Sequence, residues 1–200
     1  MISATTLDNA DELSLLADCR AGDTRAFEQI VLLHQRSIYN IALRISGNEA
    51  DAAEIVQDVF LLAWRKMADF RGESKFSTWL TSIAVNQART RWQQNRKKRG
   101  REESLEGSVV EGQGVPLQVA SKQPSALERL EQSQLQELLE RCIKALDLGF
   151  REVLVLRDMR ELAYGEVAQS LGLREGTVKS RLFRAREAVR NCIVRNMGRP

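Results

Sequence analysis

Aromatic residues are scarce in this chain, at 6%, and there are only 3 prolines and 12 glycines among 200 residues. No run of alternating polar and apolar residues marks a strand, and residues that favour helices dominate. Both features predict an all-α fold. Histidine occurs once, as His34, and the three cysteines, Cys19, Cys142 and Cys192, stand far apart. That spacing excludes the usual zinc arrangements, so no metal is expected. An odd number of scattered thiols predicts reduced cysteines in a cytosolic protein, not a disulfide framework. No stretch approaches the roughly 18 apolar residues of a membrane span, so no membrane insertion is expected. The opening segment MISATTLDNADELSLL has acids where a signal peptide would carry bases. A cytoplasmic protein is the expectation. With no glycine-rich phosphate loop and no paired nucleophile and base, neither an enzyme nor a bound cofactor is expected.

Hydrophobic residues make up 43% of the chain, enough for small cores, and they recur at helical spacing. Residues 8–21 read as a short amphipathic helix, with Leu13, Leu16, Ala17 and Arg20 along it. A long helix follows from Asp23 to about Ser46, with Phe27, Ile30, Val31, His34, Ile38, Ile41 and Ile45 on one side. A third covers about 49–68, and a fourth about 76–95, after the loop 69–75. From Lys97 the periodicity fails. Residues 102–124 hold three glycines and two prolines, the composition of a flexible linker. A fifth helix from Ser125 and a sixth over about 149–160, with Asp147 as its N-cap, follow it. Two small helical domains are thus expected, over residues 1–96 and 125–200, joined by a flexible linker at 97–124.

The end of the second domain reads as a helix-turn-helix over residues 164–183. Ala168 suits the crossing of two helices, Gly172 a turn with positive φ, and Val178 the packing of the second helix on the first. Beyond the turn, Val178, Leu182, Ala185 and Val189 form an apolar stripe. Residues 174–195 carry seven basic side chains against two acids, mostly off that stripe, as in a helix that enters a major groove. A second basic run, 86–101, has seven positive residues and no acid, whereas residues 49–58 carry four acids and no base. The net charge is only +3, so the two basic patches suggest two contacts with one polyanion. Near the first patch, Phe70, Phe76, Trp79 and Trp92 lie among arginines and lysines, which suits single-stranded nucleic acid. Phe76 and Trp79 are expected in the core, leaving Phe70 in the loop and Asn86 in the next helix as candidate base contacts.

Three motifs occur in order: DAAEIVQDVFLLAW at 51–64, FRGESKFSTWLTSIAVNQAR at 70–89 and EVAQSLGLREGTVKSRLFRAREAV at 166–189. In this order the chain resembles a bacterial RNA polymerase sigma factor of the sigma-70 family, in its extracytoplasmic-function group. The resemblance spans about residues 10–96 and 125–193. It implies that Asp51, Glu54, Ile55, Gln57, Asp58, Phe60, Leu61 and Trp64 form the face that binds core RNA polymerase at the β′ clamp, with a further contact to the β flap. It implies that Phe70, Arg71, Lys75, Ser77, Asn86 and Arg89 handle the −10 element as single-stranded DNA, Phe70 to Ser77 forming a base pocket with Asn86 at its back. Thr177, Lys179, Ser180, Arg181, Phe183 and Arg184 would read the −35 element as duplex. An anti-sigma factor is the implied regulator, able to hold the protein inactive, with stress response as the implied setting.

Two departures stand out. Relatives commonly read Leu-Ser-Tyr-Glu-Glu before the first helix of the motif, whereas this chain reads Leu162-Ala163-Tyr164-Gly165-Glu166. The lost serine cap and the added glycine should loosen that helix start by roughly 1 kcal/mol. Lys179 stands where arginine is frequent, and lysine cannot grip guanine in two-pronged fashion. A stand-alone helix-turn-helix repressor or activator is the alternative reading, but it leaves the acidic 51–58 face and the Phe70 loop without a role.

Overall fold

The computed structural model describes residues 9–102 and 126–197, and the regular structure among them is entirely helical. The chain forms two compact units, the first ending at Arg91 apart from one short later segment.

In the first unit, α1 (Asn9–Arg20) leads into α2 (Thr24–Ser46), α3 (Glu49–Arg65), a 3-10 turn (Met67–Asp69) and the start of α4 (Phe76–Glu102), which runs on past Arg91. Local chemistry sets these boundaries. The Asp23 carboxylate accepts hydrogen bonds from the Arg25 and Ala26 amides at 2.8 and 3.3 Å, capping α2. Gly47, at φ +76°, ends α2 in the left-handed region while its amide donates to Leu43. Asn48 then caps α3 through the Asp51 amide at 3.0 Å. Ile30, Ile38, Ile41 and Ile45 of α2 bury against Ala52, Ile55, Val59 and Ala63 of α3, and Leu80, Ala84, Val85 and Ala88 of α4 are equally buried.

Two boundaries differ from expectation. α3 ends at Arg65, and the chain tightens into the 3-10 turn before Phe70. α4 runs on to Glu102, past Lys97 where the apolar pattern fails. Arg and Lys have good helix propensity, so α4 continues without an apolar stripe to bury. The rest of the expected linker, 103–124, and the start at Ser125 lie outside the described residues.

The second unit contains α5 (Ala126–Lys144), α6 (Leu148–Leu154), α7 (Tyr164–Leu171) and α8 (Glu175–Met197). α6 does not continue as a plain α-helix to 160. It widens into a π-helical turn over Val155–Met159, closed by the Arg160 amide on the Val155 carbonyl at 3.1 Å. Glu161 leaves that turn at φ +57°, and the Arg157 guanidinium steadies the exit by donating to the Leu162 carbonyl at 3.0 Å. Asp147 occupies the N-cap position of α6, but its side chain makes no capping bond; its carbonyl receives the Phe150 and Arg151 amides instead.

Arg151 and Glu152 are buried in α6, which apolar periodicity alone does not anticipate. Arg151 donates to the carbonyls of Leu146, at 3.0 Å, and Lys144, so it caps the end of α5 from across the loop. Burial pulls its guanidinium below its ordinary pKa, and the Glu152 carboxylate opposes that shift.

The expectation of three reduced thiols fails. Cys142 of α5 and Cys192 of α8 are joined by a disulfide, with Cα atoms 5.8 Å apart, and only Cys19 is free. A separation of 50 residues gives no local signal; packing of α5 on α8 brings the two together.

Closing a loop of that length stabilises the fold by about 4 kcal/mol in the chain-entropy relation. Reduction with a phosphine should therefore lower the melting temperature of the second unit while leaving the first unchanged, as followed by calorimetry. Arg151→Leu removes the buried charged donor to the Lys144 and Leu146 carbonyls, and should cost about 2–3 kcal/mol in a denaturant titration.

Candidate nucleic-acid and polymerase interfaces

The helix-turn-helix is built from α7 and α8. Gly172 sits at φ +63°, and the Leu173 amide reaches back to the Ala168 carbonyl at 2.9 Å. This six-residue closure with a left-handed glycine after the last turn is a common way for a helix to end. An added Cβ at Gly172 would meet nothing within 4 Å, so backbone conformation alone demands glycine there. The Ala163 amide donates to the Glu166 carboxylate at 2.9 Å. Glu166 thus supplies one half of a capping box at the start of α7, although the serine half is absent.

Val178, Leu182 and Ala185 bury α8, and the residues between them point elsewhere. Lys179, Ser180 and Arg184 are exposed, and Phe183 is 70% exposed. Thr177 and Arg181 are half-buried. A Cβ on Gly149 would lie 3.2 Å from Arg181 Nη1, so Arg181 rests against the start of α6 and would have to shift by a few tenths of an ångström for any larger residue there. The Lys179 ammonium stands 5.4 Å from the Tyr164 ring centre, and the Arg157 guanidinium 4.8 Å from the same ring. Arg186 grips Asp158 with two hydrogen bonds, of 2.8 and 2.6 Å, and that contact raises its pKa.

In the first unit Phe70, Arg71, Lys75 and Ser77 lie around one cleft, but Phe70 does not project. It is buried, edge-on to Phe76 at 5.4 Å and tilted on Trp79 at 5.2 Å. The Arg20 guanidinium lies over its ring and donates to its carbonyl. Beside this cluster is a cleft of about 520 Å³. Phe70, Arg71, Lys75 and Ser77 line it from the loop and the start of α4; Glu12, Leu13, Leu16 and Arg20 line it from α1. Asn86 and Arg89 are not among its lining residues. Asn86 is exposed, ten residues into α4, or about 15 Å along the axis from Phe76.

The α1 wall is not foreseeable from periodicity. The spacing of Leu13, Leu16 and Arg20 shows a helix face without showing what it faces. His34 also has a structural role. It hydrogen-bonds Glu12 at 2.9 Å and tilts on Phe76 at 5.5 Å, tying α1 to the aromatic cluster.

The expected polymerase-binding residues divide by burial. Ile55 and Phe60 are core, at 1% and 7% exposure, because the α3 stripe packs on α2. Phe27 meets both Phe60, at 6.4 Å, and Trp64, at 4.9 Å, leaving Trp64 half-covered. Asp51 is half-buried 3.9 Å from Arg91, which also pairs with Glu54. Gln57, Asp58 and Leu61 are exposed, Leu61 by 56%. Arg91 is therefore committed to these acids and is not simply part of a basic patch.

Among the described residues, no three side chains gather as a metal site, and no helix is long and apolar enough to cross a membrane.

Known proteins extend these observations. The model of sigma-70 region 2 matches residues 30–98, and that of sigma-70 region 4 matches residues 136–189. The extracytoplasmic-function sigma-E factor of Escherichia coli K12 is 33% identical over 179 residues, covering 88% of this chain and 91% of that protein. The sigma-H factor of Pseudomonas aeruginosa is 30% identical over 189 residues, covering 92% and 94%. Among solved structures, CnrH bound to the cytosolic domain of CnrY is 28% identical with a TM-score of 0.62, over 92% of this chain and 96% of that one. RpoE of Bartonella quintana, bound to the anti-sigma factor NepR, is 26% identical with a TM-score of 0.62, over 85% and 98%. The match of both sigma regions in order, at such coverage, means that this chain belongs to the sigma-70 family of RNA polymerase sigma factors, in the extracytoplasmic-function group.

Proposed function

We propose that this initiation factor divides promoter reading between its two units, residues 1–96 serving the −10 element and residues 125–200 the −35 element. The observation that carries this is the cleft beside Phe70. It is lined by Leu13, Leu16, Phe70 and Phe76, with three cations, Arg20, Arg71 and Lys75, and one acid, Glu12, around it. A flipped base loses stacking and pairing worth a few kcal/mol, which a ring-floored cleft and phosphate contacts offset in part. Phe70 acts as the floor, held from below by Phe76 and Trp79. Asn86 and Arg89, about 15 and 20 Å along α4 from Phe76, contact the strand beyond the captured base.

In the second unit, Thr177, Lys179, Ser180, Arg181, Phe183 and Arg184 face duplex DNA. Exposed Arg184 and Lys179 reach base edges or phosphates, and Phe183 supplies an apolar contact such as a thymine methyl. Arg181, resting at the start of α6, positions the helix on a phosphate.

Core polymerase docks on the exposed part of α3, through Gln57, Asp58 and Leu61 with the edge of Trp64, at the β′ clamp; the second unit meets the β flap. Asp51 and Glu54 act there with Arg91. Ile55 and Phe60 support this surface from beneath. Anti-sigma partners of the similar structures support control of this chain by such a protein, which would cover these faces, keep it at the inner membrane if itself anchored there, and release it to the nucleoid.

The test is promoter-specific transcription with purified core polymerase. Phe70→Ala would confound it, because removing a buried aromatic ring costs about 3–5 kcal/mol of stability. Arg71→Ala and Lys75→Ala are the informative variants, since both side chains are exposed. They should slow open-complex formation, read by permanganate footprinting, and spare closed-complex binding. Arg184→Ala should weaken closed binding by about tenfold, the equivalent of roughly 1.4 kcal/mol, with melting unaffected once bound. Failure of the protein to direct core polymerase to any promoter, together with tight duplex binding by the protein alone, would establish a stand-alone regulator instead.

A further inference from the structure

Promoter reading gives none of the three cysteines a role, yet two of them are bonded across the DNA-reading unit. We propose that Cys142 and Cys192 form a reversible dithiol–disulfide switch, which fixes the trailing half of the recognition helix α8 to α5 when oxidised and releases it when reduced.

The burial pattern along α8 supports this. Its fully buried anchors, Val178, Leu182 and Ala185, all lie in the leading half. From 186 to 197 no residue is fully buried: Val189, Cys192 and Ile193 are half-covered, while Val194 and Met197 are 62% and 68% exposed. The trailing half therefore lacks the apolar contacts that hold the leading half. The bond from Cys192 to Cys142, itself 1% exposed in α5, supplies the missing anchor. The crosslink lies two to three turns beyond Arg184, on the same continuous helix as the residues assigned to the −35 element. Fixing that end restricts the swing of the reading face.

The compartment makes the bond conditional. A sigma factor works on RNA polymerase among reduced low-molecular-weight thiols, where a disulfide is ordinarily transient and redox-sensing. That condition rests on family membership alone, whichever residues touch the promoter.

The chemistry balances with a small disulfide such as oxidised glutathione as oxidant. Cys192, the more accessible thiol, attacks as thiolate and expels one glutathione thiolate, leaving a mixed disulfide. The Cys142 thiolate then attacks the Cys192 sulfur of that mixed disulfide and expels the second glutathione. The protein loses two electrons and two protons, and two reduced glutathione molecules result. Cys19 is a spectator. It lies buried in the first unit, and burial, then the Asp18 and Asp23 carboxylates, push its thiol up and away from the reactive thiolate.

The experiment equilibrates the full chain in glutathione buffers from cytosolic to strongly oxidising potential, then counts alkylated thiols by mass spectrometry. Amide hydrogen exchange of residues 186–197 is measured at each end, with affinity for a duplex selected from a random pool on the oxidised protein. Cys142 and Cys192 should lose alkylation together while Cys19 keeps it. Exchange over 186–197 should rise at least tenfold on reduction, and duplex affinity should fall about three- to tenfold. Cys192→Ser should behave as the reduced protein in every buffer, and reduction of the unmutated chain gives the same comparison without a substitution. A pair that stays alkylatable in oxidised glutathione, or one that stays bonded at cytosolic potential, would overturn the switch. So would equal exchange over 186–197 in both states.

Discussion

Helices as short as α1, α6 and α7 are marginal alone in water, because a helical nucleus is costly and propagation adds little. They exist here because each buries an apolar stripe against a neighbour. That constraint organises both units. The isoleucines of α2 fall on one face and meet the small and branched residues of α3, and Val178, Leu182 and Ala185 do the same for α8. Once these stripes are buried, the charged residues between them have no choice of direction. The acidic surface of α3 and the basic surface of α8 are by-products of core packing.

Burial also reassigns charge. Counted along the chain, Arg91 and Arg186 belong to two basic patches. In three dimensions Arg91 faces Asp51 and Glu54, and Arg186 faces Asp158. Arg151, buried, serves the last carbonyls of α5. The basic surfaces open to a polyanion are thus narrower than counting suggests, since Arg91 and Arg186 are already engaged with acids.

Features that depend on local order are legible in the sequence. The Asp23 start, the Gly47 ending, the glycine of the α7–α8 turn and the apolar stripes each occupy a few neighbouring residues, and each stands where the pattern places it. Features that depend on distant packing are not. Nothing within ten residues of Phe70 reveals that Arg20 covers it, and nothing near Cys142 points to Cys192. Phe70 has the sequence setting of a loop residue, since it follows a helix and stands two residues before a glycine, but an aromatic ring beside two others lowers its free energy by joining them. The length of α4 is hidden for a different reason: its apolar stripe ends before its helix does. Arginine and lysine sustain a helix whose faces are all polar.

The contact of Lys179 with Tyr164 carries one more consequence. A lysine waving in solvent surrenders up to about 2 kcal/mol of rotamer freedom when a ligand immobilises it. Lys179, leaning on a ring that Arg157 also touches, has given up part of that freedom before any DNA arrives. If Lys179 meets DNA as proposed, lysine forgoes the two-pronged grip of an arginine, and the tyrosine returns some of the loss as readiness. In the proposed role, what the side chain lacks in geometry it would recover in entropy, and the difference would be felt mainly in how long the complex lasts.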